Sequence, residues 1–320
     1  MTESRFLAHL HAQFATPREQ VAALVHRVTG SEVAATQRIV RGYDNEVYRV
    51  DLEPSTRVFV RIRRRPGGFD DELWAMAQAR DHGVPVPEVI GVDEVPDERG
   101  PRAAMVITPA PGRQLKELLP SLGPAERRAV LTDLGRVIDR LHQIRTPGVW
   151  RPDDDGRWPD PAGVRHGYIR DRRAEHDRLA AAGLTPTELE QTLAALEPSL
   201  NPPAADFVLC HGDLSPEHVF VAADHSVSCL IDWGMWHGGS ALGEFAYLST
   251  TFAPDDLATI LEGQGRQLDD DLRRTIATAT VSLQIGHIAH HVTIGDRDGT
   301  DQNVAQLRRA LATLHPPTRH

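Results

Sequence analysis

At 320 residues, with 40% hydrophobic residues and a formal net charge of −10, the chain suits one large or two medium domains with a sizeable core. The acidic balance excludes an ordinary nucleic-acid binder, which presents a basic face, and two cysteines exclude a disulfide framework. No run of 18 apolar residues and no signal-peptide core is present, so the expectation is a cytoplasmic monomer with neither a membrane nor a nucleic-acid partner.

In chain order, Thr16-Pro17-Arg18-Glu19 reads as a helix start, with Thr16 as N-cap, Pro17 at the first helical position and Glu19 closing a capping box. Val21, Leu24, Val25 and Val28 then share a face that should cover an N-terminal sheet. Residues 38–50 read as strand, turn, strand, with Gly42 at the turn. That pattern is an ordinary hairpin and also a shape that can drape over phosphates. Val58 to Ile62 is the next strand and carries Arg61, whose guanidinium is a permanent charge suited to phosphate. Arg63, Arg64 and Arg65 read as a solvated basic edge.

Phe69-Asp70-Asp71-Glu72 starts a helix with acids in its first turn, where the helix dipole favours them. Gly83-Val84-Pro85-Val86-Pro87 ends it. Val89–Val92 and Ala103–Ile107 then form a hairpin that completes an antiparallel sheet. Thr108-Pro109-Ala110-Pro111-Gly112 cannot continue a strand, which puts a hinge there and divides the chain into lobes at 1–109 and 110–320.

The second lobe is patterned as helices. Val130, Leu134, Val137, Ile138 and Leu141 repeat at helical spacing. Thr146–Arg172 is rich in Pro, Gly, Asp and Arg, has no clear period and reads as a long functional loop, with Asp153, Asp154 and Asp155 as solvated surface or as a rim that attracts a cation. Thr185-Pro186-Thr187-Glu188 is a second capping box, followed by Leu189, Leu193 and Leu196. Pro254 and Leu268–Asp271 open two further helices. The last carries His287, His290 and His291, expected to pack or hydrogen-bond rather than to bind metal.

Between these helical stretches lies the part with chemistry in it. Phe207-Val208-Leu209-Cys210 is a short buried strand that delivers His211, Gly212 and Asp213 onto a loop. Val219–Val221 and Val227–Ile231 flank a polar turn as a hairpin that ends in Asp232. Asp213 and Asp232 should therefore face one mouth, with Cys210 and Cys229 as packing residues on their strands.

The spacing follows the grammar of protein-kinase catalytic loops: His-x-Asp, a metal ligand after four more residues, here His218, and then Asp-aromatic-Gly at Asp232-Trp233-Gly234. The strings His211-Gly212-Asp213-Leu214-Ser215-Pro216-Glu217-His218 and Ile231-Asp232-Trp233 resemble the aminoglycoside and macrolide phosphotransferase family. That resemblance implies an α+β, protein-kinase-like two-lobed fold, with an N-terminal antiparallel sheet plus helix and a mainly helical C-terminal lobe. It also implies Mg²⁺-dependent transfer of a phosphoryl group from ATP or GTP to a small-molecule hydroxyl. Asp213 is then the catalytic base, and His218 and Asp232 the metal ligands. Arg61 stands where kinases carry lysine, and Glu72 is either its ion-pair partner or simply a helix-start acid. Gly42, Met105 and Ile107 complete the nucleotide side. Glu244 is either a brace for the catalytic loop or a helix-start acid.

His218 and Arg61 tilt the resemblance toward a macrolide over an aminoglycoside acceptor. Trp150, Trp158, Trp236 and Tyr247 are candidates for an apolar wall, and Asp153–Asp155, Glu244, Asp255 and Asp256 for steering a cation. A metabolite kinase for an amino sugar, choline or a homoserine-like alcohol is the alternative, and a non-catalytic pseudokinase a second.

Overall fold

The computed structural model describes residues 11–12, 15–40, 45–64, 66–153, 155–199 and 207–316. The chain forms two compact units, Met1–Trp74 with Val86–Pro111, and Ala75–Pro85 with Gly112–His320.

The first unit contains α1 (Arg18–Thr29), β1 (Val33–Ile39), β2 (Asn45–Leu52), β3 (Thr56–Arg63), the start of α2 (Asp70–Asp81), β4 (Val89–Val95) and β5 (Arg102–Ile107). The strands make one antiparallel sheet in the order β1-β2-β3-β5-β4. Side chains alternate across a strand, so β2 sends Glu46, Tyr48, Val50 and Leu52 to one face. Tyr48, Val50 and Leu52 meet Val58, Val60 and Ile62 of β3 and the predicted face of α1, Val21, Leu24 and Val25.

The start of α1 departs from expectation. Pro17 holds the N-cap position without a side-chain cap, because Thr16 is drawn elsewhere: its backbone N–H and hydroxyl donate to the Glu46 carboxylate at 2.9 and 3.2 Å. Glu46 is fully buried. Burial pushes its carboxyl up, but Arg102 at 2.5 Å, the Thr16 amide and the Tyr48 hydroxyl at 2.7 Å outweigh that and hold it below the usual range. The tip of the β1–β2 hairpin, with Gly42, lies outside the described residues, as do Arg65 and Asp154.

The second unit begins with the end of α2. After Gly112 come β6 (Arg113–Gln114), α3 (Leu115–Leu118), α4 (Pro124–His142), α5 (Pro161–Ala174), α6 (His176–Ala181), α7 (Pro186–Ala194) and α8 (Leu196–Ser199). Then follow β7 (Val208–Cys210), β8 (Val219–Val221), β9 (Val227–Leu230), β10 (His237–Gly239), α9 (Ala241–Thr251), α10 (Pro254–Gly263), α11 (Asp270–Ile294) and α12 (Arg297–Leu314). A three-stranded sheet runs β6-β8-β9, and β7 pairs with β10. Val281, Ile285 and Ile288 of α11 form the centre of a core with Leu179, Leu189 and Leu196 from the short helices and Val304, Leu307 and Leu311 from α12.

Of the elements here that were not anticipated, three show why. The aperiodic stretch from Thr146 contains α5, capped by Asp160, whose carboxylate accepts from the Gly163 N–H at 2.7 Å; Gly163 and Gly167 and a run of arginines hide its period. The strand β10 is three residues with two glycines and is held from both sides, by β7 and by a two-bond bridge between Trp150 and Gly238. The helix α12 follows the histidine-bearing α11, which is therefore not the last long helix. The capping box at Thr185 and Glu188 is present as expected. Among the described residues no helix is long and apolar enough to cross a membrane.

Candidate active site

β7 ends where the loop His211-Gly212-Asp213 begins. Gly212 has φ 78°, and a Cβ there would lie 2.1 Å from the Met235 carbonyl oxygen, so glycine is required by both conformation and space. His211 is fully buried against the Trp233 ring, at 4.8 Å between centroids. Its Nε2 lies 3.0 Å from the Ile231 carbonyl oxygen, and the Asp213 N–H reaches its Nδ1 at 3.3 Å. One neutral tautomer, protonated on Nε2, satisfies both, and burial holds its pKa down to about 3. His211 thus ties this loop to the residue after β9 without carrying charge.

Glu244, in the first turn of α9, braces the same loop. Its carboxylate accepts from the His211 N–H at 2.6 Å and the Gly212 N–H at 3.3 Å, so the helix-start acid and the brace are one residue. Burial pushes its pKa up to about 7, against the pull of the two amides. Three residues on along the same helix, the Tyr247 hydroxyl donates to Asp213 Oδ1. Tyr247 was expected in an apolar wall. The spacing was the available signal, since residues three apart share a helix face.

Asp213, His218 and Asp232 converge, each offering a ligand atom within 4.8 Å of the others. His218 Nδ1 lies 2.6 Å from the Asp213 carbonyl oxygen and donates to it, and Nε2 lies 3.7 Å from Asp232 Oδ2. Asp232 has φ 64°, a left-handed conformation that Asp tolerates as a single residue. Asp232 offers a hard divalent cation the carboxylate oxygen it prefers, while the imidazole of His218 is an unusual donor for Mg²⁺. Burial raises the Asp213 pKa to about 6, opposed by His218 and the Tyr247 hydroxyl. Trp233, the aromatic residue of Asp-Trp-Gly, is a buried anchor whose indole N–H donates to the Leu230 carbonyl at 3.0 Å. Arg151, which the sequence reading passed over, fastens the following segment by donating to the carbonyls of Trp236 and Gly234 at 2.6 and 2.5 Å.

In the first unit Arg61 Nη1 donates to Glu72 Oε1, with both side chains almost wholly buried, so Glu72 is an ion-pair partner as well as a helix-start acid. Met105 stands opposite Arg61 in the β3–β5 register, and it and Ile107 pack on Phe69. The Met105 side chain is completely buried. Arg63 does not simply face water; it pairs with Asp71 at 3.3 Å.

Of the candidate acceptor features, Trp150, Trp158 and Asp153 line one surface concavity. Trp236 is fully buried and meets Trp158 edge to face, while Trp150 is half exposed. Asp256 is held by Arg127 at 2.7 and 2.5 Å, and Asp153 accepts the amides of Asp155 and Arg157 within its own turn.

The sequence pattern of the phosphotransferase enzyme family matches residues 35–277. An aminoglycoside 3'-phosphotransferase from Streptomyces ribosidificus is 29% identical over 240 residues, 73% of this chain and 78% of that protein. Among solved structures, a thermostable mutant of the aminoglycoside phosphotransferase APH(4)-Ia in ternary complex with ADP and hygromycin B superposes with a TM-score of 0.73 at 16% identity, covering 93% of this chain and 100% of that one. The GDP and kanamycin complex of APH(2")-IIIa gives 0.64 at 12% identity, covering 91% and 98%. These likenesses are of fold, and they agree with the α+β architecture and the kinase-like order of its parts.

Proposed function

Because the chain belongs to the phosphotransferase enzyme family and is a small-molecule kinase, we propose that it moves the γ-phosphate of ATP or GTP to a hydroxyl of its acceptor in a Mg²⁺-dependent reaction, with Asp213 as the base. The observation that carries this is the convergence of Asp213, His218 and Asp232 on a loop that His211 and Glu244 hold in place. Tyr247 occupies Oδ1 of Asp213, so Oδ2 is the oxygen that meets the acceptor hydroxyl. As the acceptor oxygen bonds to phosphorus and the bond to the leaving nucleoside diphosphate breaks, the hydroxyl proton passes to Asp213. Asp232 and His218 would hold Mg²⁺, which supplies charge neutralisation for the phosphates when bound. The Arg61–Glu72 pair, with Gly42, Met105 and Ile107, forms the nucleotide side of this reading.

An antibiotic hydroxyl is the first acceptor class to test, because the relatives and neighbours are named for aminoglycosides, kanamycin and hygromycin B; within that class, His218 and Arg61 lean toward a macrolide. A metabolite alcohol is the second, favoured by one observation: Asp153, Glu244 and Asp256 are engaged in structural bonds, whereas a polycationic sugar needs several carboxylates in direct contact. The test is incubation of purified protein with Mg²⁺ and ATP or GTP against erythromycin, kanamycin and hygromycin B, read as a phosphate mass increment. Modification of kanamycin or hygromycin B without erythromycin overturns the macrolide preference. Modification of none of the three moves the acceptor to the metabolite class.

A further inference from the structure

Asp213 is tied at one oxygen and open at the other. Its Oδ1 accepts from the Tyr247 hydroxyl, and among the described residues this is the only hydrogen bond to the Asp213 side chain. His218 Nδ1 stands 3.7 Å from Oδ2, beyond hydrogen-bond distance. A carboxylate turns broadly about its terminal torsion, so a base with a single tether is aimed by that tether.

Tyr247 is in turn fixed from several sides. It shares a face of α9 with Glu244, whose carboxylate accepts the His211 and Gly212 amides, so one helix holds both the backbone and the reactive side chain of this loop. The helix is pinned where Tyr247 sits. Ser249 bonds to the buried Thr280 of α11 at 2.9 Å, and the Thr250 carbonyl accepts from the buried Gln306 of α12 at 2.9 Å. The Tyr247 ring meets His287 of α11 edge to face at 6.1 Å. Burial above all holds the pKa of His287 down to about 4, so this neighbour brings no charge to the phenol at neutral pH. Burial first, and Asp213 next, raise the pKa of Tyr247 itself, so its hydroxyl keeps its proton and stays a donor. A group whose rotamer is locked by packing and by bonds behind it can hold a base to the narrow range of angles that proton transfer needs.

We propose that Tyr247 is a positioning residue of the reaction: its hydroxyl, with His287 behind its ring, sets the angle of the Asp213 carboxylate so that Oδ2 points to the acceptor hydroxyl. The assignment rests on Asp213 as the base. Tyr247 acts through that carboxylate, so its effect belongs to kcat and not to nucleotide binding. A reacting group misplaced by about 1 Å can cost about 10²-fold in rate, which is the scale on which a lost tether should be felt. The same reading gives His287, one of the histidines of α11, a task other than filling space.

The experiment uses the full chain with Mg²⁺-ATP and follows ADP release, first with water as the acceptor and then with kanamycin, hygromycin B and erythromycin. Tyr247→Phe keeps the ring against His287 and removes the tether. It should lower kcat by about 10–100-fold with the KM for Mg²⁺-ATP unchanged. In the Asp213→Asn background the same substitution should have no further effect, because groups that act as one unit are not additive. A phenol that only packs would lower kcat equally in both backgrounds or leave it unchanged in both, and either result overturns the proposal. His287→Leu should lower kcat less than Tyr247→Phe does and add nothing to it; a loss that adds in full overturns the part given to His287. Asp213→Asn with the parent's kcat overturns the base assignment itself, so that failure is distinct from a failure of Tyr247. Where turnover is too slow to compare, crystal structures of the parent and of Tyr247→Phe decide: the Asp213 carboxylate should keep Oδ1 on the phenol in the parent and turn in the variant, and a carboxylate that does not move overturns the proposal.

Discussion

At Asp213 one residue has two oxygens with different tasks, and that division sets what substitution should do. Tyr247 holds Oδ1, so Asp213→Asn keeps the loop in place while removing the group that takes the proton. Turnover should fall by about 10²–10⁴-fold, as for a lost general base, with Mg²⁺-nucleotide binding retained; steady-state kinetics beside a nucleotide titration checks both, and unchanged turnover removes Asp213 from the role of base. His218 calls for a different substitution. Its Nδ1 is committed to the Asp213 carbonyl and only Nε2 faces Asp232. Asparagine there restores the oxygen ligand that protein kinases use, so His218→Asn should keep activity within about tenfold, the effect of roughly one modest hydrogen bond. A folded but inactive His218→Asn variant would mean that the Nδ1 bond to the loop, and not the metal-facing nitrogen, is what the site requires.

Among the elements, those with strong local periodicity were legible and those held by distant partners were not. The face of α1, the alternation in β2 and the hairpin that ends in Asp232 all declare themselves within a few residues. Thr16 had every local sign of an N-cap, yet buried Glu46, thirty positions away, takes it. The strand β10 has too few side chains to read as a strand, and α5 carries two glycines and several arginines where a period should be. Glycine within a helix can still be read physically once its surroundings are known. On α4, a Cβ at Gly135 would lie 2.1 Å from the Ile260 carbonyl oxygen of α10. Forcing those backbones apart costs about 1–3 kcal/mol or more, which exceeds the roughly 1 kcal/mol that alanine gains over glycine in a helix. Gly135→Ala should therefore lower the thermal midpoint. On α5, Gly167 has only the Arg170 guanidinium near, at 3.9 Å, and Gly167→Ala should raise it. Calorimetry of the two variants checks the pair, and a stabilised Gly135→Ala would show that α4 and α10 can separate freely.

For the molecule as a whole, the order of the motifs made the family legible, while the contact of Tyr247 on α9 with Asp213 on the loop after β7 joins residues that share no motif. Global stability depends on such long-range pairs too, and one of them gives a pH dependence with a definite sign. Glu188 on α7 is joined to Arg308 on α12 at 2.7 Å and also closes the capping box by accepting the Thr185 N–H at 2.7 Å. Arg308 first, and the Thr185 amide next, depress its pKa from 4.5 to about 2. The folded state therefore binds this proton less readily than the unfolded chain, so the contribution is complete above about pH 4.5 and fades as pH falls toward 2. Glu244 acts with the opposite sign: its pKa, raised from 4.5 to about 7, removes stability as pH rises through that window, so the two effects occupy separate ranges. Glu188→Gln keeps an amide oxygen for the Thr185 N–H and loses the charge. Urea denaturation should find the variant less stable than the parent at pH 7, with the gap narrowing as pH is taken below 4, because the parent's carboxylate is then being protonated in the unfolded state but not yet in the folded one. A gap of the same size at both ends would assign the coupling of α7 to α12 to the neutral cap and the packing of Leu189 against the α11–α12 core, with the ion pair contributing nothing.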